Sequence, residues 1–127
     1  MADQPELTRL LWRESAELLL VALGAVPGAL LRWLVALQLP DCNLVVNVMG
    51  AALLGWLAGL PAAPRRQLFL GIGFCGSLTT FSSWMLDSIR FLTAGLWRDA
   101  FGLIGLTLGF GLGAAWLGFW LAQRRDP

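Results

Sequence analysis

The chain has 127 residues, of which 57% are hydrophobic, with nine arginines, eight acidic residues and no lysine or histidine. Its net charge of +1 argues against a nucleic-acid partner, which would need a strongly basic face. A soluble core of this length could not bury four long apolar runs, so the composition predicts an all-α membrane protein with one four-span domain. The lack of histidine, of lysine and of an acid pair within the spans argues against an enzyme.

The first 17 residues form a polar lead-in to the first span. Leu7, Leu10 and Leu11 recur there at near-helical spacing among charged residues. The pattern fits a helix lying on the membrane interface, and it fits a frayed terminus equally well.

The first span is predicted over residues 18–39. Gly24 and Gly28 form a pair of small residues that allows another helix to approach closely. Pro27 removes a backbone hydrogen bond and is able to kink the helix. Arg32 lies inside the apolar run, where a charge usually faces a water-filled cavity or a partner. The alternative is that Arg32 snorkels to the nearby interface.

The second span is predicted over residues 44–60, after a turn at Pro40 and Asp41. Its polar residue is Asn47, whose amide has donors and acceptors that lipid cannot satisfy. Two roles stay open for Asn47 at this stage. It either joins helices together or presents an N–H group to an anion.

The third span, predicted over residues 68–92, has an unusual centre. Between Gly71 and Trp84 it places three glycines and five hydroxyl side chains, at a depth where lipid offers an exposed backbone no water. Hydroxyls also compete for the hydrogen bonds of the backbone and loosen a helix. The stretch therefore predicts an interrupted helix that exposes backbone groups to ions. The alternative is an intact, tightly packed helix whose hydroxyls bond back to their own chain.

The fourth span is predicted over residues 100–122, after a turn at Gly95. Gly105, Gly109 and Gly113 recur every four residues and predict a stripe for close helix packing. The orientation of the chain in the membrane is inferred from how the arginines are distributed between its two sides. Six lie at the termini and in the second loop and three on the opposite side, which mildly favours the first side as cytoplasmic.

Motifs in three spans resemble those of the Fluc (CrcB) family of fluoride channels. In the third span, G-F-C-G-S-L-T-T-F-S-S-W, ending at Trp84, is similar to the family's G-x-x-G-G-L-T-T-F-S-T-F. In the first span, G-A-x-x-R-W resembles a family motif and contains Arg32. In the second, N-L-V-V-N-V-M-G places the family's pore asparagine at Asn47.

The chain departs from the family pattern at several positions, among them Ala52, where the family often has an aromatic residue. Trp84 replaces the second phenylalanine of the third-span motif, and Leu103 stands where the family has a tyrosine. Asp87 takes the place of an acid that is usually glutamate, and Asn43 that of a frequent glycine.

The resemblance implies an antiparallel, dual-topology dimer of four-span chains, each with a broken third helix, in the cell inner membrane. Such a dimer is a homodimer, or a heterodimer with a paralogue of opposite orientation. The resemblance also implies a structural sodium ion, not transported, held by the backbone carbonyls of Gly76 and Thr79 from both chains. Converging carbonyl oxygens do attract hard cations.

The resemblance further implies a fluoride pathway. Phe81 and the residue three positions later, here Trp84, would turn the positive edges of their rings toward the anion. Trp84 would add an indole N–H donor. The remaining implied contacts are hydrogen-bond donors and one vestibule cation: Asn47, Ser82, Ser83, Thr107 and Arg32.

The predicted function is therefore a fluoride-selective channel that lets cytoplasmic fluoride leave passively and so reduces its toxicity. A small multidrug-type antiporter is an alternative, but that class needs a carboxylate deep in the first span, and Glu14 and Glu17 precede it. A non-transporting membrane scaffold is a second alternative. It would not need an asparagine and hydroxyls at mid-depth.

Overall fold

The computed structural model describes residues 3–39 and 42–125, so the turn expected at Pro40 and Asp41 lies outside the described residues. Regular structure within these ranges is entirely helical, as predicted. Helix α1 is Gln4–Gln38 and α2 is Cys42–Gly59.

Three consecutive segments then wind on from one another and are treated together as α3, residues 64–78: Pro64–Arg66, Gln67–Cys75 and Gly76–Leu78. After a break, α4 is Ser82–Thr93 and α5 is Trp97–Arg125.

Helix α1 joins the polar lead-in and the first span into one element of 35 residues. Pro5 lies in its first turn, where a missing N–H costs nothing, and the helix continues through Pro27. At 1.5 Å per residue the helix is about 52 Å long, which exceeds the roughly 30 Å hydrocarbon core of a bilayer. Its polar lead-in, up to Glu17, therefore extends out of the hydrocarbon as a helix.

The third span is interrupted, as its sequence predicted. Thr79 ends α3 in an extended conformation, with φ −79° and ψ 160°, and α4 begins only at Ser82. Before the break the helix is wound more loosely than expected, because Gln67–Cys75 is a π-helix. The N–H of Gly76 accordingly reaches back five residues to the Gly71 carbonyl. Such wide turns are often found at functional sites.

The predicted turn at Gly95 is present. Gly95 has a φ of 77°, a conformation that favours glycine. The N–H of Leu96 bonds to the Phe91 carbonyl and that of Gly95 to the Leu92 carbonyl. This is the common way of closing a helix with a left-handed glycine.

Backbone contacts hold the helices as two parallel pairs. A Cβ on Gly24 or Gly28 of α1 would collide with the carbonyl oxygens of Phe69 and Phe74 in α3. In the same way, a Cβ on Gly55 of α2 would collide with the Ala115 carbonyl oxygen in α5. The polar lead-in, the second loop and the end of α5 thus share one end of the bundle, where Gln123 Nε2 donates to the Gly59 carbonyl at 3.0 Å.

The stripe predicted on the fourth span does not pack within the chain. A Cβ on Gly105, Gly109 or Gly113 would meet nothing within 4 Å. The small residues of α5 that are buried, Ala100, Gly118 and Ala122, lie on another face of the helix. Close packing of the glycine stripe therefore stays a prediction, because periodicity identifies a face without saying what covers it.

Among the described residues, three segments are long and apolar enough to cross a membrane: Gln4–Gln38, Pro64–Thr93 and Trp97–Arg125. The second predicted span, in α2, is equally apolar but has only 18 residues, or about 27 Å. The bundle exposes large hydrophobic side chains such as Leu18, Phe110 and Leu112, as lipid-facing helices do.

The contact between α1 and α3 makes Gly24 a sensitive position. We expect Gly24→Val to destabilise the protein by about 1–3 kcal/mol, because overpacking forces two backbones apart. The measurement is unfolding of the purified protein in detergent. Ala22→Val, at an exposed position on the same helix, is the control and should have little effect. Equal stabilities for the two variants would contradict the close contact.

Candidate functional site at the helix break

The break is held by the side chain of Asn47. Its Nδ2 donates to the Thr80 carbonyl at 2.9 Å, and its Oδ1 accepts from the Thr80 N–H at 2.7 Å. One amide side chain thus satisfies both main-chain groups of one residue, as a neighbouring strand would. Of the two roles left open for Asn47, joining helices is the one that these contacts display. The anion contact remains a prediction, and one Nδ2–H is left over for it.

The hydrogen bonds of Asn47 have a consequence for Gly76. In a continuous α-helix the Thr80 N–H would bond to the Gly76 carbonyl, four residues earlier. Because that N–H is donated to Asn47, the Gly76 carbonyl loses its helical donor. Gly76 itself is exposed on the single chain, with open space around it.

Thr79 loses its helical donor in a similar way. The Ser83 N–H would bond to the Thr79 carbonyl in a continuous helix, but it donates to Thr80 Oγ1 at 3.3 Å. Thr80 thereby caps the start of α4. The Thr79 carbonyl has instead one long contact, with Arg32 Nη1 at 3.5 Å.

The two released carbonyls are those implied to hold sodium, and their chemistry fits a hard cation. In the described part of the chain no group of three or more His, Cys, Asp or Glu side chains is placed to hold a metal. Two oxygens are also too few to surround such an ion, so a chain on its own does not complete the site. A cation at the Thr79 carbonyl would have to share this oxygen with Arg32 or displace it.

Phe81 and Trp84 lie directly after the break. The Phe81 side chain is 72% exposed, and its ring centroid lies 5.6 Å from that of Trp84 with the planes tilted by 56°. The Trp84 Nε1 atom is buried and has no hydrogen-bond partner among the described residues. An unpaired buried donor of this kind costs about 1–3 kcal/mol.

The hydroxyl residues of the predicted pathway lie on two different helices. Ser82 and Ser83 are exposed at the start of α4. Thr107 is half-buried on α5 and donates to the Leu103 carbonyl of its own helix at 2.7 Å. Within α3, Ser77 and Thr79 likewise donate to the carbonyls of Phe74 and Cys75. The hydroxyls therefore do bond back to the chain, although the helix is interrupted.

A second polar contact joins α2 to α4 and was not foreseen. Asn43 Nδ2 donates to Asp87 Oδ2 at 2.7 Å, and Arg90 Nη1 lies 3.8 Å from Asp87 Oδ1. These residues line a cavity of about 310 Å³ that also reaches Leu103. The order of these residues contained a signal for the contact. Asn43 precedes Asn47 by one turn and Asp87 follows Thr80 by seven residues, so antiparallel segments that pair Asn47 with Thr80 also bring Asn43 toward Asp87.

The comparisons with known proteins agree with these motifs. The family model described as "CrcB-like protein, Camphor Resistance (CrcB)" matches residues 19–119. A protein of Synechococcus sp. (strain CC9902), named "Fluoride-specific ion channel FluC 2", is 70% identical over 124 residues, covering 98% of this chain and 92% of that protein.

More distant relatives carry the same kind of name. A "Fluoride-specific ion channel FluC 1" of Prochlorococcus marinus is 42% identical over 108 residues, covering 85% of this chain and 83% of that protein. The "Fluoride-specific ion channel FluC 1" of Listeria monocytogenes is 38% identical over 111 residues, covering 81% and 94%.

Proposed function

Because the chain belongs to the CrcB family, whose members described above are named fluoride-specific ion channels, we propose that it is a fluoride channel that lets cytoplasmic fluoride leave the cell passively. It is a transport protein and not an enzyme. The observation that carries the proposal is the family match across residues 19–119, joined to a polar helix break at mid-span. The cell inner membrane is the proposed location.

The proposed working unit is an antiparallel dimer. A break that carries released carbonyls cannot face lipid, which leaves backbone groups unsatisfied, so a second chain is expected to cover it. The exposure of Gly76 and Phe81 and the open glycine stripe of α5 support such a cover. Relatives named FluC 1 and FluC 2 leave room for a paralogue as the second chain, in place of an identical copy.

Fluoride is small and strongly hydrated, so its pathway has to replace water with donors. We assign this task to the Phe81 ring edge, the Trp84 indole and the second Nδ2–H of Asn47. The hydroxyls of Ser82, Ser83 and Thr107 would add further donors. Arg32 would supply a positive vestibule, and its half-buried guanidinium beside the break supports this assignment.

A structural sodium ion would supply positive charge for the four carbonyl oxygens that two chains bring together. Each chain contributes to this site by keeping two N–H groups away from the carbonyls of Gly76 and Thr79. Since neither chain completes the site, ion binding is expected to be coupled to dimer assembly.

The function is tested by anion efflux from liposomes that contain the purified protein. Fluoride should leave the liposomes while chloride is retained, without an imposed proton gradient. Equal efflux of the two anions would contradict fluoride selectivity, and efflux that needs a proton gradient would favour the antiporter alternative.

Replacing sodium with a bulky organic cation, at constant ionic strength, is expected to shift the dimer toward monomers and to lower fluoride flux together. The dimer fraction is measured by single-molecule photobleaching and the flux by a fluoride electrode. A dimer fraction that does not change on removal of sodium would count against the structural ion, while fluoride efflux in sodium buffer would still stand.

A further inference from the structure

A large cavity in the described residues lies away from the helix break. It is a groove of about 1070 Å³ between the first half of α1 and the start of α3, here called the α1–α3 groove. The two helices touch at Gly24 and Phe69. On the N-terminal side of this contact α1 extends back to Gln4, whereas α3 extends back only to Pro64. Ala63, its N-cap in an extended conformation, and Pro64 line the groove at this end.

The α1–α3 groove is apolar along its floor and charged at its rim. Four leucines form the floor: Leu19, Leu20, Leu23 and Leu68. The rim carries Trp12, Arg13, Glu17 and Arg65. The apolar run of α1 begins after Glu17, so the floor lies at hydrocarbon depth and the rim at the membrane interface. Trp12, which is 75% exposed, is typical of that interface.

The charge at the rim is unbalanced. Arg13 Nε lies 3.3 Å from Glu17 Oε1, so these two charges largely cancel. Arg65 is exposed and makes no ion pair or hydrogen bond with any residue in 3–39 or 42–125. One uncompensated cation therefore stands at the mouth of an apolar groove.

We propose that the α1–α3 groove binds an anionic phospholipid of the surrounding bilayer. The acyl chain lies on the leucine floor, and the phosphate is bound by Arg65 beside Trp12. An anionic phospholipid has an apolar chain where the groove has its leucine floor and a negative headgroup where the groove has Arg65. Both parts also lie at the depth that a lipid of the bilayer would give them. A lipid without net charge fits the floor equally well but leaves the Arg65 charge unbalanced.

The test is native mass spectrometry of the full-length protein with equal amounts of dioleoylphosphatidylglycerol and dioleoylphosphatidylcholine. We expect the anionic lipid to be retained about fivefold more strongly, the effect of one arginine near a membrane surface. Arg65→Gln should remove this preference. Arg125→Gln, with the same change of charge at the same end of the bundle, is the control and should leave it intact.

Two results would overturn the proposal. Equal retention of the two lipids by the parent protein would show that the groove does not select charge. An equal loss of preference in Arg65→Gln and Arg125→Gln would show that the whole surface, and not the groove, attracts the lipid.

A second variant tests whether a lipid or a second copy of the chain occupies the groove. Leu20→Trp fills the floor and should displace the bound lipid while the dimer persists. If that variant instead separated the dimer and left lipid binding unchanged, the groove would be an interface between two copies of the chain. These readouts are independent of fluoride conduction.

Discussion

Replacing Asn47 with alanine is expected to lower fluoride flux by about tenfold or more, which corresponds to about 1.4 kcal/mol. The variant loses both hydrogen bonds to Thr80, and the Thr80 N–H becomes free to return to the Gly76 carbonyl. The helix would then close across the break and withdraw a carbonyl ligand from the proposed sodium site. Backbone chemical shifts of Thr79 and Thr80, which report an extended or a helical conformation, together with liposome efflux, measure both consequences.

Asn47→Asp separates the two roles of this side chain. A carboxylate still accepts the Thr80 N–H, so the break should persist, but it repels a passing anion and the Thr80 carbonyl. We expect the extended backbone shifts of the parent at Thr79 and Thr80, and strongly reduced flux. Unchanged flux in Asn47→Asp would argue that Asn47 is only structural. Asn43→Ala, which removes an amide one turn away, is the control for the loss of a polar contact to the third span.

Phe81→Ile is expected to reduce fluoride flux by about tenfold or more while the protein folds normally. Isoleucine keeps much of the bulk but has no ring edge to face an anion. Because Phe81 is 72% exposed on the single chain, its replacement removes little internal packing. The loss should therefore appear in flux and leave the unfolding transition of the protein in place.

The control for Phe81 is Phe101→Ile, at an aromatic position on α5 that is 63% exposed. Its ring stacks on Trp97, 6.2 Å away, and it has no assigned part in the pathway. Fluoride efflux by a stable Phe81→Ile protein that matched the parent would refute the proposed ring-edge contact. A comparable loss in Phe101→Ile would point to a general effect of losing an exposed ring.

The helix break was predictable because its composition is costly in lipid. Glycines and hydroxyls at mid-depth indicate that backbone groups have other partners, and Asn47 was the one amide available in the second span. The sequence did not reveal that Asn47 bonds to Thr80, or that this hydrogen bond releases Gly76. Those facts depend on the register between two helices, which local pattern leaves undetermined.

The glycines illustrate the same limit. Gly24 and Gly28 in α1 and Gly105 and Gly109 in α5 form similar patterns in the sequence. The first pair meets the backbone of α3, and the second pair meets open space. The π-helix before the break was also missed, because no residue composition in the sequence marks it.

The hydrogen bonds that shape the break are made by residues of the same chain, and this bears on assembly. Asn47, Thr80 and Ser83 shape the interruption while each subunit folds, so the free energy of unwinding belongs to folding. Two subunits of the proposed dimer would then dock as preorganised halves, with little ordering of the backbone left to oppose association. The affinity of the pair would depend mainly on surface fit and on the shared ion, and a subunit with a damaged break would be a poor partner even for an intact one.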